Sequence, residues 1–267
     1  MRALFQGFAT LTIAATLAVA FTWSPAASAA IVKKTVDYNL AGRPYEGYMA
    51  YDDSVKEPRP GILVVHNWKG VSDDTKAAVD RLASLGYVAF AVDVYGKGIR
   101  PQDPKEAGEI SGGFKKDRIM LRARMQQGLQ TLRNQAQVDK KRIGAIGYCF
   151  GGTAAIELAR AGADIKSVVS FHGGLDSPKP EDGKRIKAKI LALHGADDPY
   201  VPAADLAAFE DEMRKSKVDW QLVKYGNAVH SFTEKSAGND NSKGAAYNET
   251  ADKRSWEDMQ RFLKETL

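Results

Sequence analysis

The chain of 267 residues has one cysteine, four histidines and no strong excess of charge of either sign. One cysteine cannot form an intramolecular disulfide, and it leaves no resolving thiol for a redox cycle. The histidines show no H-x-x-x-H pair, so a zinc site is not indicated. No G-x-x-x-x-G-K segment is present that would bind phosphate. These absences argue against thiol redox, zinc and phosphate-binding chemistry.

The charge balance also argues against a nucleic-acid partner. Lys and Arg number 38 against 33 Asp and Glu, a formal net charge of +5. The basic clusters at 33–34, 115–116 and 140–142 each have an acidic residue nearby in the sequence. Scattered groups of this kind are typical of solvated surface.

The first 29 residues differ in composition from the rest. Residues 3–23 carry no charge, follow Arg2, and lead to the small-residue site Ala27-Ser28-Ala29. This pattern predicts a secretory signal peptide that is cleaved before Ala30. An uncleaved anchor is the alternative, but glycine and threonine interrupt the apolar run. We expect export to a bacterial periplasm, no stable membrane association after cleavage, and a single domain over residues 30–267 that is a monomer or a small homo-oligomer.

Short β-rich runs alternate with helical stretches along this domain. The strands are predicted at 62–65, 87–92, 142–146, 167–171, 190–193 and 220–223. The helices are predicted at 75–85, 116–134, 150–161, 203–215 and 249–267. Such alternation predicts an α/β fold with a doubly wound, mostly parallel sheet, which binds ligands beyond the carboxyl ends of its strands.

The segment G-Y-C-F-G at residues 147–151 has the form of a nucleophile elbow with cysteine in the central place. A sharp turn from strand to helix leaves no room for a Cβ two residues before and after the nucleophile, and Gly147 and Gly151 satisfy this. Cys149 would lie at the N-terminus of a helix, where the dipole favours a thiolate. A buried, inert cysteine between glycines is the alternative. An unpaired thiol in an oxidising compartment is better explained by function.

Two partners follow the cysteine in the order that such an enzyme requires. The turn after strand 190–193 contains Asp197 and Asp198, and Asp198 has the better spacing, whereas Asp197 fits ordinary turn chemistry. His230 follows strand 220–223 in a loop loosened by glycine and asparagine. The order nucleophile, acid, histidine predicts a Cys149, Asp198, His230 triad.

With these motifs in place, the chain resembles the dienelactone hydrolase family over about residues 31–267. The resemblance rests on five segments in order, which are V-V-H-N-W at 64–68, D-V-Y-G at 93–96, G-Y-C-F-G-G at 147–152, G-A-D-D at 195–198 followed by Val201-Pro202, and H-S-F at 230–232. It implies the α/β-hydrolase fold with about eight strands and helices on both faces. It also implies hydrolysis of a small-molecule ester or lactone through a cysteinyl acyl-enzyme, without metal or cofactor.

Two positions depart from the family pattern. Members that open dienelactone carry a glutamate where this chain has Asn67, and an arginine where it has Glu234. Asparagine cannot take a proton, so we expect a standing ion pair between Cys149 and His230 in place of a substrate-gated thiol. An anionic lactone is disfavoured without the arginine. Asn67, Trp68, Tyr95, Phe150 and Phe232 suggest a pocket for an apolar or aromatic acyl group, and packing of the loops is the alternative for each.

The predicted mechanism follows from these assignments. Cys149 attacks the carbonyl carbon with help from His230, Asp198 fixes the imidazole tautomer, and water cleaves the acyl-enzyme. The backbone N–H groups of Phe150 and Trp68 are the predicted oxyanion hole. A thioesterase, or a thiol redox or binding protein without turnover, is the alternative function. The redox alternative has no need of His230 and Asp198.

Overall fold

A computed structural model describes Ala3 and residues 30–267. The predicted signal peptide lies outside the described residues. One sheet of eight strands runs through the structure in the order β1-β2-β4-β3-β5-β6-β7-β8. The strands are β1 (Ile31–Leu40), β2 (Arg43–Asp52), β3 (Arg59–Val65), β4 (Val88–Val92), β5 (Val138–Tyr148), β6 (Ser167–Phe171), β7 (Lys189–Gly195) and β8 (Trp220–Tyr225).

Strands β3 to β8 are parallel, and the N-terminal hairpin is antiparallel to its neighbour. β1 pairs with β2 over its whole length, and β2 joins the sheet through an antiparallel pairing with β4. β4, β6 and β7 are buried along nearly their whole length. Continuous apolar runs of this kind are expected for parallel strands that are covered on both faces.

Six α-helices cover the two faces of the sheet. They are α1 (Asp73–Ser84), α2 (Pro104–Lys116), α3 (Arg118–Arg133), α4 (Phe150–Arg160), α5 (Ala203–Ser216) and α6 (Glu249–Thr266). One hydrophobic core joins the sheet to α2, α3, α4 and α5, and a second joins it to α1 and α6. The mostly parallel sheet with helices on both faces confirms the predicted α/β-hydrolase architecture.

The predicted helix 116–134 corresponds to α3, which begins two residues later because Lys116 belongs to α2. Asp117 ends α2 and caps α3, because its side chain accepts a hydrogen bond from the N–H of Met120 at 2.9 Å. α2 itself was not predicted from the sequence, since Gly108, Gly112 and Gly113 lower its helix propensity by about 1 kcal/mol each. Among the described residues, no helix combines the length and the apolar character needed to cross a bilayer.

Candidate active site

Cys149 lies between the end of β5 and the start of α4, with φ 54° and ψ −119°. This backbone conformation is rare for a residue with a Cβ. A Cβ on Gly147 would lie 2.0 Å from the carbonyl oxygen of Gly151, and one on Gly151 would lie 2.3 Å from that of Val65. The turn therefore requires glycine at both places, as a nucleophile elbow does.

The three residues that the sequence grouped are in hydrogen-bond contact. The Nε2 atom of His230 is 3.0 Å from the Sγ atom of Cys149, and its Nδ1 atom is 2.8 Å from the Oδ2 atom of Asp198. The other oxygen of Asp198 accepts a hydrogen bond from the N–H of Tyr200 at 2.8 Å. Asp198 is buried, whereas Asp197 is exposed and does not contact His230. The arrangement can move a proton between sulfur and imidazole while the carboxylate holds the ring.

The electrostatics of this cluster favour a charged imidazole. Burial opposes the charge on His230, but hydrogen bonds to Asp198 and Cys149 outweigh that effect and raise its pKa to about 10. The imidazolium form is therefore stabilised at neutral pH, and its Nε2 atom lies 3.0 Å from the Sγ atom of Cys149. His172 packs edge-on against His230 with the ring centroids 5.3 Å apart, and burial keeps the pKa of His172 well below its usual value.

Asn67 and Glu234, the two departures from the family pattern, contact each other. The Nδ2 group of Asn67 donates to the Oε1 atom of Glu234 at 3.0 Å, and its Oδ1 atom accepts from the N–H of Lys69 at 2.9 Å. Burial raises the pKa of Glu234. A carboxyl group is thus present beside Asn67, although it comes from the loop after β8.

The predicted oxyanion donors lie at two loops next to the cysteine. Within residues 30–267, neither the N–H of Phe150 nor that of Trp68 donates to a protein acceptor. The carbonyl group of Trp68 accepts a hydrogen bond from the hydroxyl of Tyr95 at 3.0 Å, which fixes the peptide after it. Both N–H groups are therefore free to bind an oxygen of a substrate.

A cleft of about 480 Å³ opens beside Cys149 and His230. Besides these two residues its walls are formed by Trp68, Lys69, Lys115, Tyr200, Ser231, Glu234, Ser236, Ala237 and Ala245. The structure does not place Asn67, Tyr95 or Phe232 on this wall. Tyr95 and Phe232 are almost fully buried in the core. Sequence reasoning missed Tyr200, whose ring stands edge-on to that of His230 at 5.3 Å between centroids. Its position two residues after Asp198 was the available signal.

Both ring nitrogens of His66 have structural partners. The Nδ1 group of His66 is 2.6 Å from the carbonyl oxygen of Asn67, and its Nε2 atom accepts from the N–H of Val94 at 3.2 Å. Burial lowers the pKa of His66 to about 4, so the ring is neutral. In the described part of the chain, no three His, Cys, Asp or Glu side chains are grouped so that they could hold a metal ion.

Comparison with known proteins places this chain in a family. The model of the dienelactone hydrolase family matches residues 45–267. A solved structure, a dienelactone hydrolase-like promiscuous phosphotriesterase from metagenomic libraries, is 39% identical with a TM-score of 0.85, over 90% of this chain and 99% of that one. An uncharacterized protein of Caenorhabditis elegans is 35% identical over 152 residues, 55% of this chain and 94% of its own length. The usf protein of Aquifex pyrophilus is 28% identical over 202 residues, 74% of this chain and 85% of its own length.

Proposed function

The chain belongs to the dienelactone hydrolase family, and from that premise we propose that it hydrolyses a carboxylic ester or lactone through an acyl-enzyme on Cys149. The observation that carries the proposal is the chain of contacts from sulfur to imidazole to carboxylate, with distances of 3.0 and 2.8 Å. These are distances at which a base can take and return a proton.

The reaction has two halves. The Cys149 thiolate forms a bond to the carbonyl carbon, and the charge that develops on oxygen is stabilised by the N–H groups of Phe150 and Trp68. The C–O bond then breaks, and the imidazolium of His230 gives its proton to the leaving alkoxide. In the second half His230 takes a proton from water, whose oxygen attacks the acyl carbon and releases the acid and the cysteine.

Asp198 is a positioning residue in this scheme. Its Oδ2 atom accepts from Nδ1–H of His230 at 2.8 Å, which leaves Nε2 directed at the sulfur. The N–H of Tyr200 holds the other oxygen, so the carboxylate cannot rotate away without losing a hydrogen bond. The tautomer and the orientation of the imidazole are thereby fixed.

Replacement of the nucleophile tests the proposal. Cys149→Ala should abolish hydrolysis of p-nitrophenyl acetate, because no other side chain at the elbow can form the acyl-enzyme. Cys149→Ser should retain a small residual rate, since an alkoxide is harder to form than a thiolate beside the same histidine. Circular dichroism is the control that checks that both variants are folded. Full activity in Cys149→Ala would overturn the proposal.

A second candidate substrate class comes from the relative that is 39% identical. It is named a promiscuous phosphotriesterase, and a phosphotriester also places a leaving group opposite an attacking nucleophile. We therefore include paraoxon beside p-nitrophenyl esters, thioesters and lactones in the substrate panel. Turnover of paraoxon that is lost in Cys149→Ala would extend the function to phosphotriesters.

A further inference from the structure

A second cavity adjoins the cleft at Glu234, and its outer rim, formed by Asp74, Ala77, Arg81 and Lys235, is exposed to solvent. Its volume is about 200 Å³, and we call it the inner cavity. Its aromatic walls are Tyr148 and Phe171, whose rings stack at 4.6 Å between centroids, and Trp256. A cavity of about 150 Å³ with apolar walls can bind benzene, so the inner cavity has room for one ring.

Polar groups are also present in the inner cavity. The guanidinium of Arg81 stacks over the ring of Trp256 at 3.7 Å, and Asp252 accepts a hydrogen bond from the hydroxyl of Tyr247 at 3.2 Å. Asp74 and Lys235 add charge at the exposed rim. Phe171 is buried behind Tyr148, so the partly exposed rings of Tyr148 and Trp256 are the aromatic surface offered to a ligand. An uncharged aromatic group fits that surface.

The inner cavity and the cleft meet at one residue. Glu234 lines both of them, Asn67 lines the inner cavity alone, and a hydrogen bond of 3.0 Å joins the two side chains. Residues close together in the chain line the two spaces. Tyr148 faces the inner cavity and Cys149 the cleft, and Thr233 faces the inner cavity and Ser231 the cleft.

We propose that the Asn67–Glu234 hydrogen bond is a partition that confines the acyl group to the cleft and excludes it from an aromatic subsite in the inner cavity. The inference rests on the proposed acyl-enzyme at Cys149. It makes Glu234 a specificity-determining residue whose role is to limit the size of the acyl group. The lysine bonded to the same asparagine holds the partition in place, because Oδ1 of Asn67 accepts from the N–H of Lys69.

The test compares two esters with the same leaving group. The ratio of kcat/KM for p-nitrophenyl benzoate to kcat/KM for p-nitrophenyl acetate should rise by about tenfold or more in Glu234→Ala. The reason is that the benzoyl ring can then enter the inner cavity. Glu234→Gln is the matched control, because it removes the charge and keeps an acceptor for Asn67. Its ratio should stay at the wild-type value. An unchanged ratio in Glu234→Ala, or an equal rise in Glu234→Gln, would overturn the partition.

Variants that fill the inner cavity are the second part of this test. Ala78 lines it from α1, and Ala78→Leu added to Glu234→Ala should return the ratio to the wild-type value. Ala78→Leu alone should leave the wild-type ratio unchanged, and a fall would show that the inner cavity is open already. Where Ala78→Leu lowers the melting temperature, Ala77→Leu at the exposed rim of the same cavity takes its place.

Binding separates a failure of this inference from a failure of the proposed function. Titration of benzyl alcohol into the Cys149→Ala protein needs no turnover. Affinity should increase when Glu234→Ala is added and should fall again when Ala78→Leu is added to that. An absence of any ester turnover by the wild type, with this pattern of binding intact, would refute the hydrolase and keep the subsite. Equal affinities in all three proteins would refute the subsite.

Discussion

Asp197 and Asp198 are adjacent carboxylates with different surroundings. Asp198 is buried and bonded to His230 and to the N–H of Tyr200, whereas the Asp197 side chain is exposed. Asp198→Asn should lower turnover by on the order of 10⁴, as loss of the orienting carboxylate does in the serine triad, or less where a thiolate already exists. Asp197→Asn should retain wild-type turnover. Steady-state kinetics on both variants identifies the acid of the triad. A large loss of turnover in Asp197→Asn with none in Asp198→Asn would place the acid at Asp197.

The charge state of His230 leads to a prediction about the alkylation rate of Cys149. Hydrogen bonds raise its pKa to about 10 against the effect of burial, so the imidazolium persists at neutral pH and is lost as the pH rises through that value. A thiolate paired with it should react quickly with iodoacetamide at neutral pH. His230→Gln removes the cation and should slow alkylation at pH 7.

Asn67→Glu is the matched variant for this measurement. A second carboxyl group next to Glu234 adds negative charge at the edge of the cleft, which disfavours the negative sulfur. Alkylation at neutral pH should therefore be slower than in the wild type. The readout is the alkylation rate against pH for the three proteins. Slow reaction of the wild type at neutral pH would show that another group suppresses the thiolate, and Glu234 would be the first candidate.

Residues that follow strands in a fixed order could be predicted from the sequence, and those that meet only through space could not. Cys149, Asp198 and His230 each sit in a turn with its own local pattern. Asn67 and Glu234 are 167 residues apart, and no local pattern relates them. Of the aromatic residues proposed for the pocket, Trp68 lines the cleft, whereas Tyr95 and Phe232 are buried, because aromatic side chains in loops are as well suited to core packing.

At the scale of the element, the elbow depends on backbone contacts that admit no side chain. Gly151→Ala would bring a Cβ to 2.3 Å from the carbonyl oxygen of Val65, so β3 and α4 would have to separate. We expect a loss of unfolding free energy of about 1–3 kcal/mol or more, with loss of activity. Gly108→Ala in α2 is the control, since its Cβ would meet open space. That change should stabilise the protein by up to about 1 kcal/mol. Equal effects of the two changes in urea denaturation would contradict this account.

Elements could be predicted where burial imposes one simple pattern. The strands β4, β6 and β7 read as continuous apolar runs, and their predicted positions agree with the structure. The hairpin of β1 and β2 was not located from the sequence. β1 alternates half-buried and exposed residues and carries charge, and β2 contains Pro44 and Gly47. The place of this hairpin in the sheet depends on the pairing of β2 with β4, which the local sequence does not encode.

At the scale of the whole molecule, a buried ion network ties the far end of α4 to α5. Arg160 is fully buried, and its guanidinium donates to Glu157 at 2.9 Å and to Glu212 at 2.6 Å. It also donates to the carbonyl groups of Leu175 and Asp176 in the loop after β6. Because α4 begins at the elbow, this network holds the helix that presents Cys149.

Removing the cation should destabilise the whole domain. Arg160→Leu leaves the buried carboxylate of Glu212 without its partner, whereas Glu157 keeps Arg122 at 2.7 Å. We expect the free energy of unfolding to fall by about 3–5 kcal/mol. Arg214→Leu on α5 is the control, because this arginine is 56% exposed and pairs only with Glu210 and Asp211. Its loss should cost at most about 1 kcal/mol. Urea denaturation measures both, and similar losses would show that the buried network has no special role.

The backbone of Cys149 has a consequence for any attempt to improve this protein. A residue at φ 54° and ψ −119° bears a conformational cost of about 1–3 kcal/mol, which glycine would largely avoid. A library selected for thermal resistance alone would therefore favour glycine at the position that must carry the thiol. Selection for resistance to heat and selection for turnover pull in opposite directions at this residue. A screen of variants must consequently score catalysis and melting together, or it will enrich inactive protein.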